Sequence, residues 1–310
     1  MNEPTVASRE QQPAGLFRLW VFMRPFTLAP PAVGMLSGAV TAWGAKPPVA
    51  PDVHLIGYAL AGAFVGSLLN GASNALNQIY DLEIDRVNKP GRLLPSRRIS
   101  EGEAWSTVAV GYLISMAVAV QIGREFFVLA AAAATMTVLY SAPPFRTKRF
   151  TFLANLTIAI PRGVLLKVAG WSTVRSALTA EPWYIGLVFG SFLLGAASTK
   201  DFSDMKGDGL HGCRTLPVRF GPERAAWMVA PFFVWPFLLI PLGVHRGILT
   251  GNPLLLDILG WGLAIWGLHV ARLMVRNPAE LAQTENHPSW THMYLMMMTC
   301  QVGFAVAYCF

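Results

Sequence analysis

Charge is what this chain has least of. Asp, Glu, Lys and Arg make up 13% of its 310 residues, about half the share usual in soluble domains. Hydrophobic residues reach 54% and the mean hydropathy is +0.45. Together these exclude a soluble enzyme, a disordered chain and a coiled coil. Three cysteines (Cys213, Cys300 and Cys309) form an odd, scattered set, which excludes a disulfide framework and offers no metal-ligand spacing. The six histidines show no HExxH or other zinc pattern, and there is no Walker loop, dinucleotide fingerprint or nucleophile elbow. The first fifteen residues are polar, carry Arg9 and Glu10, and lack the layout of a signal peptide.

What is present in abundance is long apolar sequence. A membrane-spanning helix takes about 20 mostly apolar residues. The sequence predicts about nine, near 26–45, 54–79, 104–122, 126–142, 151–171, 183–200, 225–245, 254–274 and 289–310. The fifth is interrupted by Pro161, Arg162 and Lys167. The expectation is an all-α, polytopic membrane protein, with an N-terminal segment over 1–24 and one transmembrane domain over 25–310.

The basic residues sort by side. Of 24 Lys and Arg, 18 fall in the N-terminal segment and the loops after even-numbered spans, four in the other loops, and two inside the fifth span. The positive-inside rule then puts the amino terminus and the basic loops in the cytoplasm and the carboxyl terminus on the opposite side. The net charge of +7 is therefore a mark of topology rather than of nucleic-acid binding. It also makes the cytoplasmic face suited to anionic substrates.

Because acids are scarce, their location is informative. Five of the seven aspartates lie in two short segments where a span meets the cytoplasm. Asn77, Asp81 and Asp85 are four apart, one polar stripe on a continuing helix. Asp204 and Asp208 are again four apart, with Asp201 three before Asp204. The segments are also in register: Asp81 to Asp204 and Asp85 to Asp208 are both 123 residues, and Arg92-Leu93-Leu94-Pro95 is echoed by Arg214-Thr215-Leu216-Pro217 at 122. Such an offset implies a parallel four-helix duplication, about 25–150 and 151–276, followed by a ninth helix. Solvated loop carboxylates balancing nearby cations would explain one such stripe. Two stripes in register at a membrane boundary point to function, because ionisable groups are costly there. Mg²⁺ favours one or two carboxylates plus phosphate oxygens and water, so two ions, one per stripe, would bridge a diphosphate. The surrounding Arg and Lys would take its remaining oxygens.

These residues resemble a known family. Asn77-x-x-x-Asp81-x-x-x-Asp85 is similar to the first aspartate-rich motif of the UbiA superfamily of intramembrane prenyltransferases, and Asp201-x-x-Asp204-x-x-x-Asp208 with Arg214-Thr215-Leu216-Pro217 to the second. The run from Tyr140 to Lys148 resembles the family's intervening loop. Ser141-Ala142-Pro143-Pro144 and Gly207-Asp208 with Leu216-Pro217-Val218 look closest to the chlorophyll-synthase-like and archaeal-lipid-like branches, whose acceptors are a carboxylate or an alcohol; an aromatic acceptor stays open. The resemblance implies a helical bundle around a central cavity. Its implied reaction is Mg²⁺-dependent prenyl transfer from a prenyl diphosphate donor to a hydrophobic acceptor, with release of pyrophosphate. Carried over by position, Asn77, Asp81 and Asp85 hold one metal and Asp204 and Asp208 the other, with Asp201 in support. Arg92, Arg214 and Lys148 (or Arg146) bind phosphate oxygens. Two departures stand out: Leu93 replaces a proline of the family pattern and Arg97 a glycine.

Further polar residues carry paired readings. Arg162 lines the cavity or marks a break at Pro161, and Lys167 lines it or snorkels to the interface. Asn155 reaches substrate or bridges helices. Tyr140 contacts a cation or phosphate, or belongs to the interfacial aromatic belt; His211 reads as a loop histidine. The rival function is a cation transporter with the acidic stripes lining an ion path, and a third is a catalytically silent prenyl-lipid binder.

Overall fold

A computed structural model describes residues 15–50, 52–283 and 287–310; Arg9 and the first part of the 1–24 segment lie outside the described residues. Among the described residues, nine helical segments of at least 16 residues follow one another. They are α1 (Ala29–Gly44), α2 (Val53–Tyr80), α3 (Glu101–Ile122), α4 (Arg124–Ser141), α5 (Thr151–Ser172), α6 (Ala180–Leu210), α7 (Pro222–His245), α8 (Pro253–Arg276) and α9 (Pro288–Cys309). Six of these (α2, α3 and α5 to α8) are long and apolar enough to cross a membrane. Helix α1 has only 16 residues, α4 opens on Arg124 and Glu125, and α9 carries Ser289, Thr291 and His292 near its start. The outer surface agrees with a lipid environment. Leu113, Ile258 and Ile265 are 61–70% exposed, a cost in water that hydrocarbon removes.

Local chemistry sets the helix ends. Asp52 caps α2 by accepting from the amides of His54 and Leu55 at 2.7 and 3.0 Å. Ser100 and Glu103 form a reciprocal capping box at the start of α3, and Asn252 caps α8. Consecutive helices pack side by side, and α9 packs against both α8 and α1, so the bundle closes into a ring. Helix α1 also lies along the second half of α5. A Cβ on Gly170 there would sit 2.4 Å from the Met35 carbonyl oxygen, the close approach by which membrane helices associate.

The interruption expected in the fifth span is a wide π turn over Ile160–Leu165 within α5. Pro161 offers no amide hydrogen to the helix ladder, and a π turn is a common way to absorb such a defect. Lys167, one turn later, does neither of the two things expected of it. It is 2% exposed, absent from the cavity wall, and folded inward, with Nζ 3.3 Å from the Gly34 carbonyl oxygen and 4.2 Å from the Phe189 ring centre. A small pocket made by the Gly34 carbonyl and the Phe189 ring takes the end of the side chain, where α1 and α5 pack closely.

At the end of the bundle that carries the basic loops, α2 stops at Asp81 and a short helix, Leu82–Asn88, follows. The Asp85 amide still donates to the Asp81 carbonyl at 2.7 Å, so the stripe survives the break. Helix α6 tightens into a 3₁₀ turn over Ala197–Lys200 and stays helical to Leu210 instead of ending near 200. The loop between α2 and α3 is anchored by Leu93, which is buried with Phe22, Leu76 and Ile99. A leucine therefore fills, in this chain, the place a proline would stiffen.

Candidate active site

The ring encloses a cavity of about 290 Å³. Its walls follow helical spacing. On α2, Val65, Leu69, Ser73, Asn77 and Asp81 line it in single-turn steps; on α6, Leu193, Ala197, Lys200, Asp204 and Asp208 do the same. Both walls run from apolar to acidic in the same direction, toward the basic loops. The apolar end is completed by Met35, Leu129, Leu165, Leu166 and Met297. One chamber thus joins a charged floor to a hydrocarbon-like depth.

The two aspartate segments meet at that floor. Asp81, 4% exposed, accepts from Lys148 Nζ at 2.6 Å, Arg146 Nη2 at 2.9 Å and Asn77 Nδ2 at 2.8 Å. Arg92 donates to Asp85. Across the cavity, Lys89 Nζ grips both oxygens of Asp204 at 2.6 and 2.9 Å, and Lys148 Nζ lies 3.6 Å from Asp208. Asn88 ties the backbones together, donating to the Asp204 carbonyl at 3.1 Å and accepting from the Gly207 amide at 2.8 Å. Lys148 is the hinge of the arrangement. Burial opposes its charge, but Asp81, Tyr140 and Asp208 outweigh it and raise its pKa above the ordinary lysine value. Cys213, fully buried nearby, has its thiol pushed up by burial, which makes it a poor nucleophile.

The structure brings most of the sequence-predicted residues together and leaves some apart. Asn77, Asp81, Asp85, Arg92, Tyr140, Lys148, Arg162, Asp201, Asp204 and Asp208 all line the cavity. Arg146 acts from behind, on Asp81 and the Tyr80 carbonyl. Asn155 bridges helices, donating to the Leu194 carbonyl at 2.7 Å and to Ser198 Oγ at 2.6 Å. The Arg214 side chain is exposed and off the wall. Its backbone is held instead, with the amide on the Arg149 carbonyl at 3.1 Å and the carbonyl on the Thr151 hydroxyl at 2.5 Å. His211 bonds the Gly207 carbonyl within its own loop. Sequence reasoning gave no site role to Arg24, Lys89, Asn88, Lys200 or Thr215. Asn88, Lys89 and Lys200 stood next to the motifs and Thr215 inside the second, where position was the only signal; Arg24 had none.

The donors at the floor are carboxylate and amide oxygens, the set a hard cation such as Mg²⁺ prefers. Among the described residues no three acidic, His or Cys side chains converge closely enough to hold an ion alone. The set fits a metal whose coordination is completed by substrate oxygens and water.

An all-helical membrane bundle with a chamber that runs from paired carboxylates to an apolar depth defines the class of site. The chain belongs to the UbiA prenyltransferase family, whose model matches residues 29–307, and it is a prenyltransferase; members of this family transfer prenyl groups to hydrophobic acceptors. It is 29% identical over 288 residues to the bacteriochlorophyll synthase 34 kDa chain of Chloroflexus aurantiacus, covering 90% of this chain and 88% of that one. It is likewise 29% identical to the digeranylgeranylglyceryl phosphate synthase of Methanococcus aeolicus, covering 80% and 86%. The match to the chlorophyll synthase of Oryza sativa spans 55% of that plant protein's length. In fold it resembles a UbiA homolog from Archaeoglobus fulgidus bound to DMAPP and Mg²⁺, with a TM-score of 0.71 at 19% identity, over 94% of this chain and 99% of that one. The cation-transporter reading finds no support in these likenesses.

Proposed function

We propose that the protein moves a prenyl group from a prenyl diphosphate to a hydrophobic acceptor inside the membrane and releases pyrophosphate. The observation that carries this reading is the meeting of both aspartate segments at Lys148, 2.6 Å from Asp81 and 3.6 Å from Asp208, at the mouth of an apolar chamber. The A. fulgidus homolog bound to DMAPP and Mg²⁺ supports the donor and the ion. The fuller form of the proposal has nine spans, a cytoplasmic amino terminus and cytoplasmic aspartate loops, two Mg²⁺ ions, and a parallel duplication relating 25–150 to 151–276.

Asn77, Asp81 and Asp85 would hold one ion and Asp204 and Asp208 the other, supported by Asp201. Bound Mg²⁺ supplies charge neutralisation for the departing diphosphate. Arg92 and Lys148, both on the cavity wall, exchange their carboxylate partners for phosphate oxygens when the donor enters, so these two cations stay paired in both states; Lys89 holds Asp204 from behind. The allylic carbon–oxygen bond breaks with its electron pair leaving on pyrophosphate. The acceptor supplies the pair for the new bond; an aromatic ring or alcohol then gives up a proton to the released pyrophosphate or to water, whereas a carboxylate has none to lose. The ring of helices keeps water from the allylic cation, while Tyr140 and Arg162 line the cavity.

The test is pyrophosphate release by purified protein in detergent, with prenyl diphosphates of several lengths and a panel of aromatic, alcohol and carboxylate acceptors. Acceptor-dependent release that is lost on chelation and in Asp81→Asn and Asp204→Asn is the expected result. Folded protein that neither binds nor cleaves any prenyl diphosphate sinks the proposal.

A further inference from the structure

Thr215 stands at the N-cap of the short helix Leu216–Phe220. A threonine there ordinarily turns its hydroxyl onto the amide of the second or third helical residue. Here the second residue is Pro217, which has no amide hydrogen, and the hydroxyl makes no cap bond. It makes no other bond either: Oγ1 is buried and without a partner, in a residue only 4% exposed. Leaving a hydroxyl in that condition is destabilising, so such groups call for an explanation. Thr215 also belongs to the cavity wall, with Asp208 and Lys148.

The position is fixed from both sides. The preceding residue is clamped through its backbone to Arg149 and Thr151, flanking the Lys148 turn. The Cys213 amide bonds the Asp208 carbonyl at 2.9 Å. Thr215 is thereby splined between the residue that bridges the aspartate segments and the last aspartate of the second one.

We infer that Thr215 is a substrate-binding residue, whose hydroxyl donates a hydrogen bond to a non-bridging oxygen of the diphosphate. This rests on the prenyl diphosphate reading of the cavity. The hydroxyl supplies a neutral donor beside the cations Arg92 and Lys148, so it adds no charge when the floor is empty of ligand.

The experiment measures binding of inorganic pyrophosphate and of a prenyl diphosphate, each with Mg²⁺, by calorimetry on wild type, Thr215→Val and Thr215→Ser, beside their steady-state kinetics. Valine keeps the shape and removes the hydroxyl; serine keeps the hydroxyl. Thr215→Val is expected to weaken binding of both ligands, and to raise the donor KM, by about 10-fold. Thr215→Ser should stay close to wild type, and both variants should keep the wild-type melting midpoint within a few degrees. Equal binding by wild type and Thr215→Val overturns the inference and leaves the prenyl diphosphate reading standing. A loss in Thr215→Val that serine does not rescue marks a packing role and overturns it as well. Failure of wild type to bind either ligand overturns both.

Discussion

The two aspartate segments have matching spacing but are held in different ways. In the first, Asp81 and Asp85 are buried and fully engaged by Arg146, Lys148 and Arg92. In the second, Asp204 is held by Lys89, Asp208 sits 3.6 Å from Lys148, and Asp201 has no ion-pair partner among the described residues. Every cation paired with the second segment comes from the earlier part of the chain, whereas Lys200, Lys206 and Arg214 beside it form no ion pair among the described residues. The two segments are therefore not independent copies of a site. Lys89, Arg92, Arg146 and Lys148, all between the two segments, supply the cations for both, and the second offers the looser carboxylates.

That asymmetry is open to attack. The largest effect is expected from Asp81→Asn, which strips Lys148 and Arg146 of a buried partner. Turnover should fall by about 10²–10³-fold, and stability should fall by about 3–5 kcal/mol. Asp204→Asn should lose turnover comparably but only about half as much stability or less, because its ion pair is more exposed. Thermal unfolding beside activity checks both, and equal destabilisation by the two variants would erase the contrast.

Next, double-mutant cycles of Lys148→Met with Asp81→Asn and with Asp208→Asn should give a coupling energy within the usual ~0.5–3 kcal/mol, larger for Asp81 at 2.6 Å than for Asp208 at 3.6 Å. The reverse order would place Lys148 with the second segment. A pH series sharpens the same point. The pKa of Lys148 is raised on folding, so its stabilisation is complete below the unfolded lysine value and fades only as pH climbs through the higher folded one. The gap in melting midpoint between wild type and Lys148→Met should therefore stay constant from about pH 7.5 to about pH 9, above the range in which burial makes Asp208 take up its proton. A gap that closes within that range would mean the ammonium loses its proton there.

The smallest effect lies outside the paired groups. Arg97 adopts φ +58°, a left-handed conformation costly for a residue with a Cβ. Arg97→Gly should stabilise the chain by about 1 kcal/mol and leave turnover unchanged. Thermal unfolding with the pyrophosphate-release assay measures both.

Much of this was legible in the sequence, and the limits have physical causes. Apolar runs marked the helices, and the register of Asp81 with Asp204 marked the floor, because helical spacing is a local property. Pro161 announced the break in α5 for the same reason. The structure also explains one departure from the family pattern: a glycine suits position 97 because the backbone there is left-handed. What stayed hidden depends on which helices meet. Asn155 is equally polar whether it faces the cavity or the Leu194 carbonyl. Arg214 looked like a phosphate ligand by position, yet its backbone holds the loop while its side chain stays outside. Asn88 looked like ordinary helix-end sequence until its partners from Asp204 and Gly207 were in place.

The closure of the ring by α9 bears on how the protein is made. Trp290, Met293, Tyr294, Met297 and Gln301 form one wall of the chamber, and this helix follows all the other described helices off the ribosome. Domains fold as synthesis proceeds, from the amino end, so α1 and α8 must wait in the bilayer with an unfilled slot between them. The chamber would stay open to lipid through that slot. Nascent chains stalled before α9 should be the form that membrane quality control recognises, although both aspartate segments are already complete.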